Sequence, residues 1–343
     1  MAKTGEDMAH RGQSVRRSVT LKDVAREAGV SIAAVSYSLN GGGTIGEEVR
    51  LRVREVADRL GYRPNRSAQA VRTGRSMTLG LVLPDLNNPY YPALARSFEH
   101  AAREAGYTTV LIDTSGSVEE ELEGIRELEN HGVAGAIWCQ TSDQLAASAD
   151  EYAMPIVVVG APGAAFDNVM ADDVAGGRLA AGHLLAHGHR DIGLLVGDTV
   201  PDDKNDRRNA FVAAIGRRAK IRFELKTPYA IDLAGTVIET LSRREVTAVM
   251  CGNDLIAIGV LRAARQLAIR VPEDLSVIGF DDIPWAAIVT PALTTINQPV
   301  AEMATVALEL LLDRLDRPDR PLRHRKVPVR LVERDSVARA GPT

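Results

Sequence analysis

The sequence predicts an α/β protein with an N-terminal three-helix headpiece, a hinge helix and a two-lobed core built on parallel sheets. Two short amphipathic stretches joined by a glycine occupy residues 19–40, which indicates a pair of helices. From residue 78 onward, apolar runs alternate with amphipathic helices, a pattern typical of parallel sheets covered by helices. The chain has 343 residues, enough for two or three domains. The predicted parts are a disordered arm (1–18), the headpiece (19–64), the hinge helix (65–75), the core (76–337) and a tail (338–343).

Residues 19–40 have the form of a helix-turn-helix, whose second helix enters the DNA major groove. Thr20 and Asp23 form a T-x-x-D capping box, which predicts a helix beginning at Leu21. Gly29 supplies the tight turn, and Ser31 can cap the second helix. Amphipathic helix pairs also occur in proteins that never contact nucleic acid, but the turn glycine and the apolar spacing favour DNA recognition.

A third helix is predicted from Glu47 to Leu60, with acidic residues in its first turn and a glycine after its end. The preceding GGGTIG matches G-x-G-x-x-G, but no strand comes before it, so we interpret it as a turn. After Pro64, a helix of about eight residues is too short to be stable alone in water. We expect it to fold only against DNA and a second copy of itself; a plain linker is the alternative.

The charge is unevenly distributed. Residues 1–76 contain 14 Lys and Arg against 8 Asp and Glu, whereas the whole chain has 41 against 45. A basic N-terminal part on an acidic body suits phosphate contact by the headpiece alone. The two cysteines are isolated on apolar runs, which indicates a reducing compartment and no disulfide framework. No long apolar stretch or secretory signal is recognisable, so we expect a cytoplasmic protein without a membrane span.

The core is predicted to contain alternating strands and helices. Strands are predicted at Leu79–Leu83, Thr108–Ile112, Gly135–Cys139, Ile156–Val159, Ile192–Val196, Ala248–Cys251 and Val277–Phe280. Helices are predicted at Tyr91–Ala105, Val118–His131, Gly176–His187, Leu255–Gln266 and Ala301–Leu315. Ligands of open parallel sheets bind beyond the carboxyl ends of the strands, so we expect a ligand cleft between two such lobes.

Polar residues follow several predicted strands. They include Asp85–Tyr91, Arg207 with Arg208, Asn253–Asp254 and Asp281–Asp282. Aromatic rings beside amides, carboxylates and a guanidinium suit a small polar ligand. No nucleophile elbow, P-loop or pair of catalytic carboxylates is recognisable, so neither an enzyme nor a cofactor is predicted.

At these positions the chain resembles the LacI/GalR family of bacterial transcription regulators over residues 19–337. The motifs are VTLKDVAREAGVS, Y-x-P-N at 62–65, NPYY at 88–91, HL with GHR at 183–190, ND at 253–254, VPEDLSVIGFDD at 271–282 and P-x-L-T-T at 291–295. The resemblance implies a headpiece, a hinge helix and a core like that of periplasmic sugar-binding proteins. It implies a homodimer, or in some members a tetramer. Such a dimer binds a near-palindromic double-stranded operator, with affinity set by a small-molecule effector.

The resemblance also implies roles for individual residues. The implied DNA-binding residues are Thr20, Ser31, Ile32, Ala33, Ser36, Tyr37, Asn40, Tyr62, Asn65, Arg66, Ala68, Gln69 and Val71. Of these, Ala68 and Val71 occupy the positions that enter the minor groove and kink the DNA. The implied effector contacts are Tyr90, Tyr91, Arg207, Asn253 and Asp281.

Four departures from the family pattern involve five positions. Tyr37 stands where Arg is usual, which removes a bidentate contact to guanine. Ile32 and Ala33 carry no polar side-chain atoms, so direct base recognition is expected to be apolar. Val71 replaces the usual Leu of the hinge and is expected to intercalate less deeply. Gly160 stands where many sugar-responsive members have Asp, which weakens the case for a sugar effector.

Two further groups have alternative interpretations. His183 and His187 are four residues apart on one helix, as in some metal sites, but no Glu stands beside the first His, so no metal is predicted. Trp285 is either a stacking platform for the effector or a core aromatic. The sequence therefore predicts a ligand-responsive repressor. The alternatives are a solute-binding protein, which predicts an export signal, and a sugar-metabolising enzyme, which predicts turnover.

Overall fold

The computed structural model describes residues 19–40, 45–63, 76–140, 151–160, 165–198 and 205–341. Contacts within the chain separate it into two units, residues 1–74 and residues 75–343. The predicted arm and hinge helix lie outside the described residues. So do the hinge positions Asn65, Arg66, Ala68, Gln69 and Val71.

The headpiece contains three helices: α1 (Leu21–Ala28), α2 (Ile32–Asn40) and α3 (Glu47–Leu60). Both hydrogen bonds of the predicted capping box are present at Thr20, which confirms the start of α1. Gly29 has φ of 66°, a left-handed conformation that costs a residue with a Cβ more than a glycine. Val24, Val35 and Val53, one from each helix, are fully buried together, so the three helices share one small core.

Lobe 1 (residues 76–171 and 298–329) contains a six-stranded parallel sheet in the order β11-β5-β4-β3-β1-β2. Its strands are β1 (Thr78–Leu83), β2 (Thr108–Asp113), β3 (Gly135–Cys139), β4 (Ile156–Val159), β5 (Asp167–Ala171) and β11 (His324–Val327). Its helices are α4 (Tyr90–Glu104), α5 (Val118–Asn130) and α10 (Val300–Asp316). The inner strands are fully buried because helices cover them, whereas the edge strand β2 is largely exposed.

Lobe 2 (residues 172–297 and 330–341) contains a second six-stranded sheet in the order β12-β10-β9-β8-β6-β7. Its strands are β6 (Asp191–Gly197), β7 (Lys220–Thr227), β8 (Ala248–Cys251), β9 (Ser276–Asp281), β10 (Thr294–Asn297) and β12 (Arg330–Val332). Its helices are α6 (Asp173–Ala186), α7 (Asp206–Ile215), α8 (Gly235–Ser242), α9 (Asp254–Gln266) and a short 3₁₀ helix (Pro284–Ala287).

The chain crosses between the two sheets three times, after β5, after β10 and after β11. Leu255 and Ile283 of lobe 2 belong to the apolar cluster that fills the inner layer of lobe 1, so the lobes are in direct contact. Three connecting segments of this kind can act as a hinge, so the lobes can rotate toward each other with little change inside either lobe.

Several elements differ from the sequence predictions. Five strands (β5, β7, β10, β11 and β12) and two helices (α7 and α8) were not predicted. The edge strands β7 and β11 carry several charged, exposed residues, so they lack the apolar run of a buried strand. Both sheets are parallel as predicted except at one edge, where β12 pairs antiparallel with β10.

The predicted tail is part of lobe 2 up to at least Ala340. Ala340 N–H donates to His187 O at 2.8 Å, and Ala338 N–H donates to Ser276 Oγ at 3.1 Å. The His189 ring lies 2.9 Å from Thr247 Oγ1 and 3.0 Å from Ala338 O. These contacts attach the end of the chain to β9 and to the loop after α6.

We expect the contribution of His189 to the stability of the protein to fall as the pH falls from about 6.5 toward about 4. Burial lowers the pKa of His189 from 6.5 to about 4, and nearby His187, His183 and Arg190 act in the same direction, against the hydrogen bond to Ala338. The unfolded chain therefore binds a proton in this range before the folded chain does, which costs about 1–2 kcal/mol between pH 7 and 5. Urea unfolding of the parent protein and of a His189 variant at pH 7 and pH 5 measures this cost as the difference between the two proteins.

His189→Gln is expected to reduce this pH dependence. The control is His100→Gln, because the His100 side chain is mostly exposed and lies 3.4 Å from Glu104. An unchanged pH dependence in the His189 variant would contradict the assignment.

Candidate functional site

A cavity of about 470 Å³ lies between the two lobes of the core. Its walls come from segments that follow strands of both sheets, among them Asp85 after β1, Gln140 after β3, Asp198 after β6 and Asn253 after β8. The cavity thus lies at the carboxyl ends of the parallel strands, where ligands of such sheets bind. Its volume suits a small molecule.

Arg207 is held in the cavity wall by lobe 2. Its Nε and Nη2 donate to Asp173 Oδ1 at 3.1 and 2.9 Å, and its Nη1 donates to Gly252 O. The guanidinium carbon lies 3.3 Å from the centre of the Phe280 ring, a cation–π geometry. Asp173, and to a smaller extent Asp281, raise the pKa of Arg207 against the effect of burial. The guanidinium is therefore a fixed, charged part of the wall.

Asp281 is the last residue of β9 and lines the cavity. Gln298 Nε2 donates to Asp281 Oδ1 at 2.6 Å. The residue has φ of 113°, which is strained for a side chain other than glycine and is typical of functional sites. Burial raises the pKa of Asp281 to about 7, although Arg207 and Gln298 lower it. This carboxyl is therefore poised between its two protonation states near neutral pH.

Asp254 lies behind the cavity wall and stabilises the turn that follows Asp281. Its carboxylate is fully buried and accepts hydrogen bonds from Thr295 Oγ1 at 2.6 Å and from Ile283 N–H at 2.9 Å. Burial raises its pKa, and Asp281 adds to that effect. These bonds fix the turn that follows β9, so Asp254 positions Asp281 without lining the cavity.

Aromatic and apolar groups make up the rest of the wall. Tyr90 and Tyr91 contact each other edge to face, with ring centres 5.2 Å apart, and Tyr229 contributes a third ring. Burial raises the pKa of all three phenols, so they are neutral hydrogen-bonding groups at neutral pH. Cys139 and Met170 extend the apolar side. The cavity therefore offers both stacking surfaces and polar anchors.

The cavity brings together five of the six predicted effector residues: Tyr90, Tyr91, Arg207, Asn253 and Asp281. Trp285 is the exception, because it lies on the 3₁₀ helix, is 37% exposed and does not line the cavity. Neither predicted role fits it, since it is also not a core aromatic. Gly160 lines the cavity with φ of 91°, so the wall has no carboxylate there.

Sequence reasoning missed Asp173, Tyr229 and Gln298 as members of the cavity. Asp173 and Gln298 follow β5 and β10. Because these two strands were not predicted, the sequence did not show that the two residues lie at strand ends. Tyr229 follows the edge strand β7, which was missed for the same reason. A correct prediction of these strands would have revealed all three residues.

In the headpiece, the second helix presents the predicted recognition residues to the surface. Ile32 and Tyr37 are 45% and 49% exposed, and Ala33 is exposed as well. Ser31 Oγ accepts a hydrogen bond from Ala34 N–H at 3.1 Å and so caps α2. The side chains of Ile32, Ala33 and Tyr37 are therefore accessible to a binding partner.

The other DNA-binding residues predicted in the described part of the headpiece occupy different positions. Thr20 is exposed and forms the capping box of α1, Ser36 is half-buried on α2, and Asn40 ends α2. Tyr62 differs, because it is half-buried and packs against the headpiece core. Its ring therefore stabilises the headpiece in addition to any contact with DNA.

The histidine pair has ring centres 4.3 Å apart, and His183 Nδ1 lies 3.8 Å from Glu333. Over the described ranges, no three His, Cys, Asp or Glu side chains are grouped to hold a metal ion. Every helix in the described part of the chain is too short or too polar to cross a bilayer.

Comparison with known proteins assigns the family. Residues 20–65 match the bacterial regulatory proteins of the lacI family, and residues 181–337 match the periplasmic binding protein-like domain. The ribose operon repressor of Halalkalibacterium halodurans is 30% identical, over 93% of this chain and 97% of that protein. The chain belongs to the LacI family. The transcriptional repressor PurR of Serratia proteamaculans is 32% identical over the same shares of the two chains.

Solved structures of LacI-family proteins have the same architecture. The lac repressor dimer bound to operator and the anti-inducer ONPF has a TM-score of 0.84 and 26% identity, covering 94% of this chain and all of that one. A LacI-family regulator from Enterococcus faecium with bound ribose has a TM-score of 0.69 and 29% identity, covering 77% of this chain and all of that one. This LacI-family chain is therefore a DNA-binding transcription regulator with a two-lobed ligand-binding core, and neither alternative function is favoured.

Proposed function

We propose that this LacI-family protein represses transcription by binding a near-palindromic operator as a homodimer, and that a small molecule in the core cavity changes its affinity for DNA. The observation that carries the proposal is the cavity itself. A fixed guanidinium, a buried carboxylate and three tyrosines meet there in a chain that also has an exposed recognition helix.

The DNA contacts are proposed for the exposed face of α2. Ile32 and Ala33 lie in its first turn, and Tyr37 lies one turn further along the helix. Apolar side chains of this kind pack on thymine methyl groups, and the tyrosine hydroxyl can form one hydrogen bond to a base or phosphate. We therefore expect an operator rich in contacts to thymine and without the arginine–guanine pair. Because the operator lies on the chromosome, we place the protein in the cytoplasm.

Exposed apolar residues on both lobes support a homodimer. Val110 and Leu111 lie on the exposed edge strand β2 of lobe 1. Trp285 and Ile288 lie at the surface of lobe 2, where Ile288 is 76% exposed. An uncovered apolar edge strand invites pairing with another chain. A dimer through these surfaces also matches a two-fold symmetric operator.

The switch is proposed to act through the angle between the lobes. Lobe 1 contributes Tyr90 and Tyr91 to the cavity, and lobe 2 contributes Arg207 and Asp281. A ligand that contacts both sets favours the lobe arrangement in which they are closest. The affinity for DNA changes only by the difference in ligand affinity between the two arrangements.

Footprinting of the purified protein on upstream regions of its own and neighbouring genes tests the proposed function. We expect protection of a near-palindromic site at nanomolar protein and a change in protection when a cavity ligand is added. The absence of any protected palindrome would reject the proposal.

Tyr37→Ala is expected to weaken operator binding about five- to thirtyfold, since a lost base contact costs about 1–2 kcal/mol. Binding to nonspecific DNA is expected to stay nearly constant, because phosphate contacts dominate it. Titration of both DNAs by gel shift measures the two affinities. Leu51→Ala on α3 removes a similarly exposed apolar side chain and serves as the control. Equal losses on both DNAs would remove Tyr37 from base recognition.

A further inference from the structure

When Asp281 is ionised, the cavity wall carries more negative than positive charge. Asp173 and Asp281 contribute two carboxylates there, whereas Arg207 contributes one guanidinium. Asp173 accepts hydrogen bonds from Arg207 Nε and Nη2, and Gly252 O accepts from Nη1. The positive charge of Arg207 is therefore already matched by Asp173. Asp281 feels the charge of Arg207 but forms no ion pair of its own with the side chains that the structure describes.

The other charged side chains of the wall do not restore the balance. Asp85, Asp198 and Asp206 add three carboxylates to the described lining. Arg208 donates to Glu224 at 2.8 and 2.6 Å, so its charge is matched outside the cavity. Lys326 lies on the exposed edge strand β11 of the opposite lobe. Among the described lining residues, the field is therefore negative around Asp281, which disfavours an anionic ligand.

Asp281 has a free oxygen for a ligand. Of the described residues, Gln298 is the hydrogen-bond donor to its carboxylate, and it donates to Oδ1. Asp281 lines the cavity together with Tyr90, Tyr91 and Tyr229, and its charge raises the pKa of all three phenols. A buried carboxylate with one unused oxygen costs free energy unless a proton or a cation joins it. Tyrosine faces stabilise a cation at the same place.

We propose that the effector of this protein carries one protonated amine, which pairs with Asp281 in the cavity beside Arg207 and the three tyrosines. The class is a small polar molecule such as an amino sugar, in which hydroxyl groups bind the remaining polar wall and the amine supplies the missing positive charge. Phosphorylated and carboxylate metabolites are disfavoured, because Arg207 is already engaged and the surrounding side chains are acidic. This inference rests on the proposed function, since it concerns the ligand of the same site.

Calorimetry with matched probes tests the ligand class. The probes are glucose, galactose and mannose, each compared with its 2-amino sugar, its 6-phosphate and its uronic acid, and titrated into the full-length protein at neutral pH. In at least one set we expect the amino sugar to bind tenfold or more tightly than the parent sugar, with the anionic members weaker than both. An anionic member that binds most tightly in its set would overturn the proposal. So would the lack of an amine preference in every set.

Asp281→Asn identifies the residue responsible. Asparagine has nearly the same shape, so the variant is expected to keep its thermal unfolding midpoint and to lose the tenfold preference for the amine. Asp232→Asn removes a charge from an exposed side chain of the same lobe and is expected to keep the preference. If the amine preference survives in Asp281→Asn, the assignment to Asp281 is wrong.

The operator footprint separates the two proposals. If the operator is protected but the amine preference is absent, the ligand class is wrong and the regulatory function stands. If no operator is protected, the regulatory function is wrong, whatever the calorimetry gives.

Discussion

Replacing Asp167 with asparagine is expected to lower the free energy of unfolding by about 3 kcal/mol, because it removes the carboxylate paired with buried Arg314 and leaves Arg320 paired with Asp313 alone among the described residues. Asp167 begins β5 and is almost fully buried. It accepts hydrogen bonds from Arg314 Nε at 2.9 Å, from Arg320 Nη1 and Nη2 at 2.9 and 3.0 Å, and from Arg323 N–H at 2.8 Å. The two guanidinium groups are themselves only 13% and 10% exposed. This carboxylate therefore connects α10 and the segment before β11 to the lobe 1 sheet.

Urea unfolding of the Asp167→Asn variant measures the loss. Asp232→Asn is the matched control, because the Asp232 side chain is 89% exposed and pairs with Arg262 at 2.5 Å. Such a surface ion pair contributes at most about 1 kcal/mol, so the control is expected to unfold nearly as the parent does. Similar losses in both variants would show that burial of the ion pair has no special weight.

Gly177→Ala is expected to lower the free energy of unfolding by about 3 kcal/mol, toward the upper end of the usual cost of overpacking. A Cβ at Gly177 would lie 2.3 Å from Arg207 O and 2.9 Å from Phe211 N. Both atoms belong to the backbone of α7, so neither can rotate away, and α6 and α7 would have to separate. Because α7 carries Arg207, we also expect weaker ligand binding in the cavity.

The control for this variant lies on the same helix. A Cβ at Gly182 would meet no atom within 4 Å. Gly182→Ala is therefore expected to stabilise the protein by about 0.5–1 kcal/mol through helix propensity alone. Thermal unfolding of both variants gives the comparison, and opposite signs are expected. A stabilised Gly177→Ala variant would contradict the close packing of α6 on α7.

Local signals were sufficient for the headpiece and for the buried strands that are apolar along their whole length. The capping box at Thr20, the left-handed Gly29 and the apolar stripe of α3 are set by residues a few positions apart, so the sequence alone predicted the three helices. The runs that became β3, β4 and β8 are apolar throughout and fully buried on both faces. A continuous apolar run of this length is the pattern of a central parallel strand.

The edge strands β7, β11 and β12 could not be predicted in the same way. β7 and β11 carry charged residues because one side of each faces solvent, so their alternation is irregular. For two of the unpredicted strands the partner also lies far away in the chain, since β11 pairs with β5 and β12 pairs with β10. Pairing between distant segments stabilises such strands, so neighbouring residues in the sequence do not predict them.

The sequence by itself determined the helix-turn-helix, the α/β core, the resemblance to the LacI family and five members of the cavity. These follow from short-range periodicity, caps and motifs, each of which is complete within a few residues. Only the tertiary structure decided that Asp173 engages Arg207, that Gln298 orients Asp281 and that Trp285 lies outside the cavity. The physical reason is that each of these facts depends on the spatial position of segments separated in the chain. The charge balance of the cavity, from which we infer a cationic effector, exists only once those segments meet.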